Sequence, residues 1–243
     1  MNKMLSIITN FGCHFECPEC IVRNSGIDVP QTTIGGLAQL DSAFRNNLCK
    51  VVSISGGGDP LFNYGSNFNW YRALFKWARS YKKDTLFVKC ALEGETDSKV
   101  KQSLQDWYSS YGVPIEMHTC YTPNSSFFPF YDCYRVVYHV HSIEDLDSIY
   151  RTGSEIVRVV FVVTSQFTVQ DIMDITAYVD KSTEIDELSF REYVDASFTP
   201  QPYLSEYLKL GHKKLWYYIE QNDYNLYYAE NKVYSSFKDL PKA

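Results

Sequence analysis

The residues of this chain best spaced for chemistry are three cysteines in Gly12-Cys13-His14-Phe15-Glu16-Cys17-Pro18-Glu19-Cys20, a C-x3-C-x2-C pattern. With only seven cysteines in 243 residues, an accidental match to such a tight pattern is rare. One loop of this kind can wrap three thiolates around one corner of an iron–sulfur cube. Such clusters usually take four cysteines, so three in a short loop leave the fourth iron for another ligand. The competing chemistry is a structural zinc site completed by His14 or a distant cysteine. Zinc sites usually present paired C-x2-C knuckles, and only Cys17-Pro18-Glu19-Cys20 forms one here. The other cysteines, Cys49, Cys90, Cys120 and Cys133, lack cluster spacing and read as small apolar packing residues. His118, His139 and His141 alternate with apolar residues and read as structural histidines.

A second segment strengthens the iron–sulfur reading. Ser55-Gly56-Gly57-Gly58-Asp59-Pro60-Leu61 follows an apolar strand, and its glycines let the backbone approach a ligand closely. Together the two segments resemble those of the radical S-adenosylmethionine superfamily, the second with Asp59 where the family has glutamate. The resemblance covers about residues 5 to 195. It implies that Cys13, Cys17 and Cys20 hold a [4Fe-4S] cluster and that Gly56, Gly57, Gly58 and Asp59 bind the methionyl end of S-adenosylmethionine. It further implies reductive cleavage of that cofactor to a 5′-deoxyadenosyl radical that abstracts hydrogen from a substrate. The protein would orient and shield this chemistry. The residue before the third cysteine is aromatic in the family and lies against adenine, but here it is Glu19. Its backbone, with Phe15 supplying a ring, is the substitute the resemblance leaves. Arg191 is placed to face the cofactor carboxylate, and Thr164, Ser165 and Gln166 to border the ribose or adenine. Glu93, Glu95 and His118 are further candidates for the barrel mouth.

These residues need a scaffold that brings strand ends together. Leu5 to Phe11, Val51 to Ser55, Thr85 to Leu92, Ile115 to Thr119, Tyr134 to Val140, Ile156 to Thr164 and Leu188 to Tyr193 read as strands. Helical spacing fills the intervals over Thr33 to Leu48, Trp70 to Tyr81, Ser98 to Tyr111, Ser142 to Arg151 and Thr168 to Asp180. Asp97 or Ser98 can cap the third of these and Gly112 can end it. Near-continuous apolar strands alternating with helices predict an α/β fold, a partial (β/α)6 TIM-type barrel. Residues 1–197 form that barrel in this reading, and 198–243 an aromatic-rich extension packed on it. In the extension, Tyr203 to Ile219 has helical spacing and Tyr224 to Ser235 reads as a hairpin turning near Glu230-Asn231.

Composition sets the remaining bounds. Hydrophobic residues make up 45% of the chain, enough for a sizeable core, and the formal charge is -6. An acidic balance argues against broad binding to nucleic-acid backbones. No apolar run is long enough to span a bilayer, and the first residues lack a signal-peptide pattern, so a cytoplasmic, reducing setting is expected. Within the superfamily the expected partners are a small-molecule or peptide substrate and an external one-electron donor such as flavodoxin or ferredoxin. No cysteine-rich segment follows Cys133, so auxiliary clusters are not expected. The open alternatives are a 7-carboxy-7-deazaguanine synthase-like enzyme, an activase of a glycyl-radical enzyme, a peptide maturase, and, from another class, a non-catalytic zinc-binding interaction module.

Overall fold

Residues along each strand point alternately to opposite faces, and here the two faces differ sharply in polarity. The structure is a computed structural model that describes residues 4–13, 15–120, 132–151, 153–154, 156–210, 216–219 and 225–240. Six strands, β1 (Met4–Ile8), β2 (Val51–Ser55), β3 (Ile115–Thr119), β4 (Arg135–Val140), β5 (Ile156–Val163) and β6 (Glu187–Val194), lie side by side in chain order. Every adjacent pair among them is parallel, so their C-terminal ends share one edge of the structure. This is the expected partial barrel, not closed on itself.

One face of each strand carries Leu5, Ile7, Val52, Ile54, Ile115, Met117, Val136, Tyr138, Val159, Phe161, Leu188 and Phe190, all in one buried apolar cluster. The same cluster takes in buried residues of α2 (Leu40–Asn46), α3 (Phe68–Ser80) and α6 (Val169–Val179) and, from α5 (Ser98–Ser110), Tyr108, whereas Leu104 and Trp107 of α5 pack separately with Leu92 and Tyr134. Phe44 is fully buried, with its ring within 5.5 Å of those of Trp77, Tyr81 and Phe87. Helix starts are set by side chains accepting orphan amides. Asp97 accepts from Lys99 and Val100 at the start of α5, and Thr168 and Asp171 form a reciprocal capping box on α6. Gly112 closes α5 at φ 96°, where a Cβ would stand 2.0 Å from the Ala78 carbonyl oxygen. A side chain there is excluded twice, by backbone conformation and by contact.

The opposite face is polar. Ser6 and Ser53 share a hydrogen bond of 2.6 Å. Glu116 pairs with Arg135, Arg135 reaches Glu187 at 3.2 Å, and Glu187 pairs with Arg158 at 2.6 Å. Burial alone would push the Glu116 carboxyl up. The Arg135 guanidinium, His118 and the Arg158 charge more than offset this and hold it well below the usual range.

Three expectations are corrected. Thr85 to Leu92 is not a strand but helix α4 (Thr85–Ala91), opened by the Asp84 carboxylate accepting from Phe87 at 3.1 Å. Phe87 and Ala91, four residues apart, are buried while Leu86 is 74% exposed, a helical and not an alternating pattern. Its short, mostly apolar run, interrupted by Lys89, suited either element. The expected helix over Thr33 to Leu48 is present as α2 behind a 3-10 turn (Gly35–Leu37), whereas that over Ser142 to Arg151 is only a short 3-10 turn, Glu144–Ser148 after β4. The expected helix over Tyr203 to Ile219 is α7 (Ser205–Lys209) followed by strand β8 (Trp216–Ile219), whose aromatic and β-branched run favours a pleated surface. Residues 211–215, within that expected helix, lie outside the described residues.

The hairpin is present as β9 (Asn225–Ala229) and β10 (Lys232–Tyr234), turning on Glu230 and Asn231 at φ 44° and 65°. Both turn residues have positive φ, as the commonest two-residue hairpin turn requires. Strand β9 lies parallel to β1, whereas β8 lies parallel to β6 and the two-residue β7 (Pro200–Gln201) antiparallel to it. Among the described residues, no helix is long and apolar enough to cross a membrane.

The charged ladder on the inner face yields the first prediction. Glu116→Gln is expected to cost about 3 kcal/mol at pH 7, because it leaves Arg135 buried with half its compensation. Glu116 has a folded pKa below its unfolded value of 4.5, so its contribution is complete above that pH and declines as pH falls. Urea unfolding at pH 7 and at pH 3.5 should therefore show the gap between wild type and variant narrowing at the lower pH. An equal gap at both would refute the assignment.

Candidate functional site

The cysteine loop leaves the C-terminal end of β1 and ends in the one-turn helix α1 (Ile21–Ser25). Its backbone is stitched locally. Cys20 N–H donates to the Cys17 carbonyl at 3.2 Å, the Arg23 guanidinium donates to the same carbonyl, and the Asn24 amide donates to the Pro18 carbonyl at 2.7 Å. The Phe15 N–H approaches the Cys13 sulfur at 3.4 Å. All seven thiols are free; Cys13 is exposed and Cys17 and Cys20 are half-buried. Three free thiols on one short loop suit an iron–sulfur cube whose fourth iron lacks a cysteine. His14, the residue weighed for a zinc site, lies outside the described residues.

The glycine segment packs against this loop. Gly56 and Gly57 have φ of 85° and 75°, and a Cβ on Gly58 would stand 2.3 Å from the Gly12 carbonyl oxygen. The Asp59 N–H donates to that same carbonyl at 3.0 Å, and the Gly56 carbonyl accepts from Asn10 at 3.3 Å. Asp59 itself is buried, at 3% exposure. Its carboxylate accepts from Leu61 N–H at 2.9 Å, Thr119 Oγ1 at 2.8 Å and Cys120 N–H at 2.8 Å. Three strand ends are thereby fastened together beside the thiols.

Two residues read from the sequence as structural belong to this place. Cys120, one residue past β3, has its sulfur 3.7 Å from that of Cys17. His141, one residue past β4, has Nδ1 2.7 Å from Glu19 Oε1. The ligand atoms of Cys17, Cys120 and His141 all lie within 4.8 Å of one another. Asp145 fixes the His141 backbone, accepting from its N–H at 2.8 Å and from Ser142 at 2.9 Å. Hydrogen bonds from Cys120 and then His141 pull the Cys17 thiol down to about 5, and burial opposes them. The same contact and burial push Cys120 up. Cys17 and Glu19 in turn raise His141 to about 10. The thiols and the imidazole of this grouping can each release a proton on binding a metal.

The signal for both residues was present. Each directly follows a strand of a parallel sheet, the edge where barrel sites are built. The reading of Cys90 as a packing residue is also corrected: it is exposed on α4, whereas Cys49 and Cys133 are fully buried.

The remaining candidates separate into two groups. His118 and His139 lie on the polar face, with His118 Nδ1 3.2 Å from His139 Nε2. Burial lowers both imidazoles, and the charge of Arg191 pushes the same way. Arg191 stands on β6 in register with Val162 of β5. Thr164, Ser165 and Gln166 follow the C-terminal end of β5, where Ser165 and Gln166 are exposed. Glu93 and Glu95 do not belong to the mouth. They follow a helix, and Glu95 pairs at 3.4 Å with Lys50, the residue before β2, at the opposite end of the strands. A cavity of about 310 Å³ is lined by Ile27, Val29, Phe198, Phe237 and Leu240 among others, and by none of the cysteines or histidines.

No protein-family model matches this chain, and no curated protein does. Among solved structures, the crystal structure of Streptococcus suis SuiB bound to S-adenosylmethionine is similar, with a TM-score of 0.56 at 10% identity. The chain shares the fold of the part of SuiB that it matches. The likeness covers 100% of this chain and 60% of SuiB, so this chain spans less than two thirds of that protein's length. At that identity the likeness is one of fold.

Asp59 supplies the prediction here. Asp59→Asn removes an acceptor from a buried set of donors and is expected to cost about 2 kcal/mol, or roughly 4–8 °C in Tm. Thr119→Val should show a smaller drop, since one donor is lost and the backbone amides stay paired. A thermal melt in which Asp59→Asn matches wild type would contradict this role.

Proposed function

We propose that this protein is a radical S-adenosylmethionine enzyme, with Cys13, Cys17 and Cys20 as ligands of a [4Fe-4S] cluster. The observation that carries the reading is the placement of the two segments. The C-x3-C-x2-C loop and the glycine segment leave adjacent parallel strands at the same end and pack on one another. The likeness in fold to SuiB, solved with S-adenosylmethionine bound, supports it. When bound, the cluster and cofactor supply one-electron cleavage of the sulfonium, coupled to hydrogen abstraction from the substrate.

The chain's own residues do the rest. The Cys loop presents the thiols, and Gly56, Gly57 and Gly58 offer carbonyl and amide groups with no side chain in the way. The Asp59 carboxylate is engaged by Leu61, Thr119 and Cys120, so in this reading its part is to hold the glycine segment in place. Arg191, His118 and His139 give the inner face a fixed positive charge and two neutral imidazoles, suited to a polar or anionic group of cofactor or substrate. Thr164 and Ser165 border the same edge, and Phe15 is the aromatic ring of the cysteine loop. An external low-potential donor of the flavodoxin or ferredoxin kind would deliver the electron. A small-molecule or peptide substrate is consistent with the polar inner face.

The test is anaerobic reconstitution with iron and sulfide, followed by assay for 5′-deoxyadenosine with dithionite and S-adenosylmethionine. Wild type should turn brown and form the product; Cys13→Ala and Cys20→Ala should lose at least 100-fold in rate. A protein that stays colourless and forms no 5′-deoxyadenosine would reject the proposal.

A further inference from the structure

A histidine and a cysteine from separate strand ends meet one member of the cysteine loop in a geometry that an iron–sulfur cube does not ask for. Thiolates on a cube occupy different corners and diverge. Two thiolates on one tetrahedral zinc, each bonded at about 2.3 Å, instead sit about 3.8 Å apart. Cys17 and Cys120 are separated by 3.7 Å. His141 completes a group whose ligand atoms lie within 4.8 Å of one another. Its Nδ1 is taken by the Glu19 carboxylate at 2.7 Å, which leaves Nε2 as the nitrogen for a metal. A carboxylate behind a ligating histidine fixes its tautomer and orientation in many metal sites. Two independent features therefore point the same way: a chelating trio and a carboxylate oriented to serve it.

We propose that Cys17, Cys120 and His141 form a mononuclear site for a thiophilic divalent cation, zinc in the first instance, with Glu19 orienting the histidine. Binding puts Cys17, Cys120 and the His141 Nε2 on the metal in deprotonated form; the protons they carry go to solvent, and no electron is transferred. Three protein ligands leave one position for water or another donor. The site gives Glu19, the departure in the cysteine loop, a part in orienting His141. It stands without the cluster reading. Only one consequence rests on that reading: since Cys17 is common to both, zinc and the [4Fe-4S] cluster exclude one another.

The experiment titrates reduced, metal-free protein under anaerobic conditions with Co2+ as the spectroscopic probe and Zn2+ against a chromophoric chelator. Wild type should bind one equivalent and show thiolate-to-cobalt charge transfer. Cys120→Ser and His141→Ala should each weaken binding at least tenfold, and Glu19→Gln by about tenfold. Cys13→Ala and Cys20→Ala should leave it within twofold. His141 is partly exposed, so its variant is expected to fold, and circular dichroism checks each protein. Binding that needs Cys13 and Cys20 but not Cys120 or His141 would overturn the site, as would no stoichiometric binding. Reconstitution of the same variants separates this result from the cluster reading, which needs Cys13 and Cys20 and not Cys120. Zinc-loaded wild type should accept no cluster until a chelator strips it. Assembly with zinc retained would overturn the mutual exclusion.

Discussion

A buried carboxylate is costly unless donors surround it, and Asp59 meets that condition with groups from three parts of the chain. Its oxygens bond the amide two residues on, the Thr119 hydroxyl and the Cys120 amide, while its own amide holds the Gly12 carbonyl. The turn after β2, the end of β3 and the loop after β1 are thereby set in one register. The glycines beside it could not bear side chains without breaking that contact, because Gly58 lies against the Gly12 backbone. The position of the thiols thus depends on a carboxylate that need touch none of their ligands.

The two faces of the sheet divide the work. The helix-covered face is apolar and supplies the cohesion, with large aromatic side chains such as Phe44, Tyr71 and Tyr81 fully buried. The other face carries the Glu116, Arg135, Glu187 and Arg158 ladder and, nearer the strand ends, His118, His139 and Arg191. Deep in the sheet the charges are paired with one another. Above them the groups become neutral imidazoles and a guanidinium, a surface able to receive a polar guest.

Legibility in the sequence followed the strength of the local pattern. The apolar strands Ile115–Thr119 and Ile156–Val163, the capping box at Thr168 and Asp171, and the hairpin at Glu230-Asn231 are stated locally and were readable. Residues Thr85 to Leu92 were not, since a short apolar run fits helix and strand alike, and the Asp84 cap that decides it is a single residue. The cysteine loop and glycine segment were legible because each is contiguous. Cys120 and His141 escaped because their relation to Cys17 and Glu19 exists only after β1, β3 and β4 come together. For them, position just past a parallel strand was the sole sequence cue.

Strand β1 has one neighbour close in the chain and one remote: Met4 faces Val51 on one side and Asn225 on the other. Strand β6 is flanked by β8, so both margins of the six-strand core are covered by strands that follow all six in the chain. A pairing of such long sequence separation as that of β1 with β9 forms slowly, because loop closure precedes any gain from contact. During synthesis the thiol-bearing loop therefore hangs from a strand with one bare edge until β9 has been made. Full framing of that strand waits for β9, and in the interval before it exposed thiols and an unpaired edge coincide.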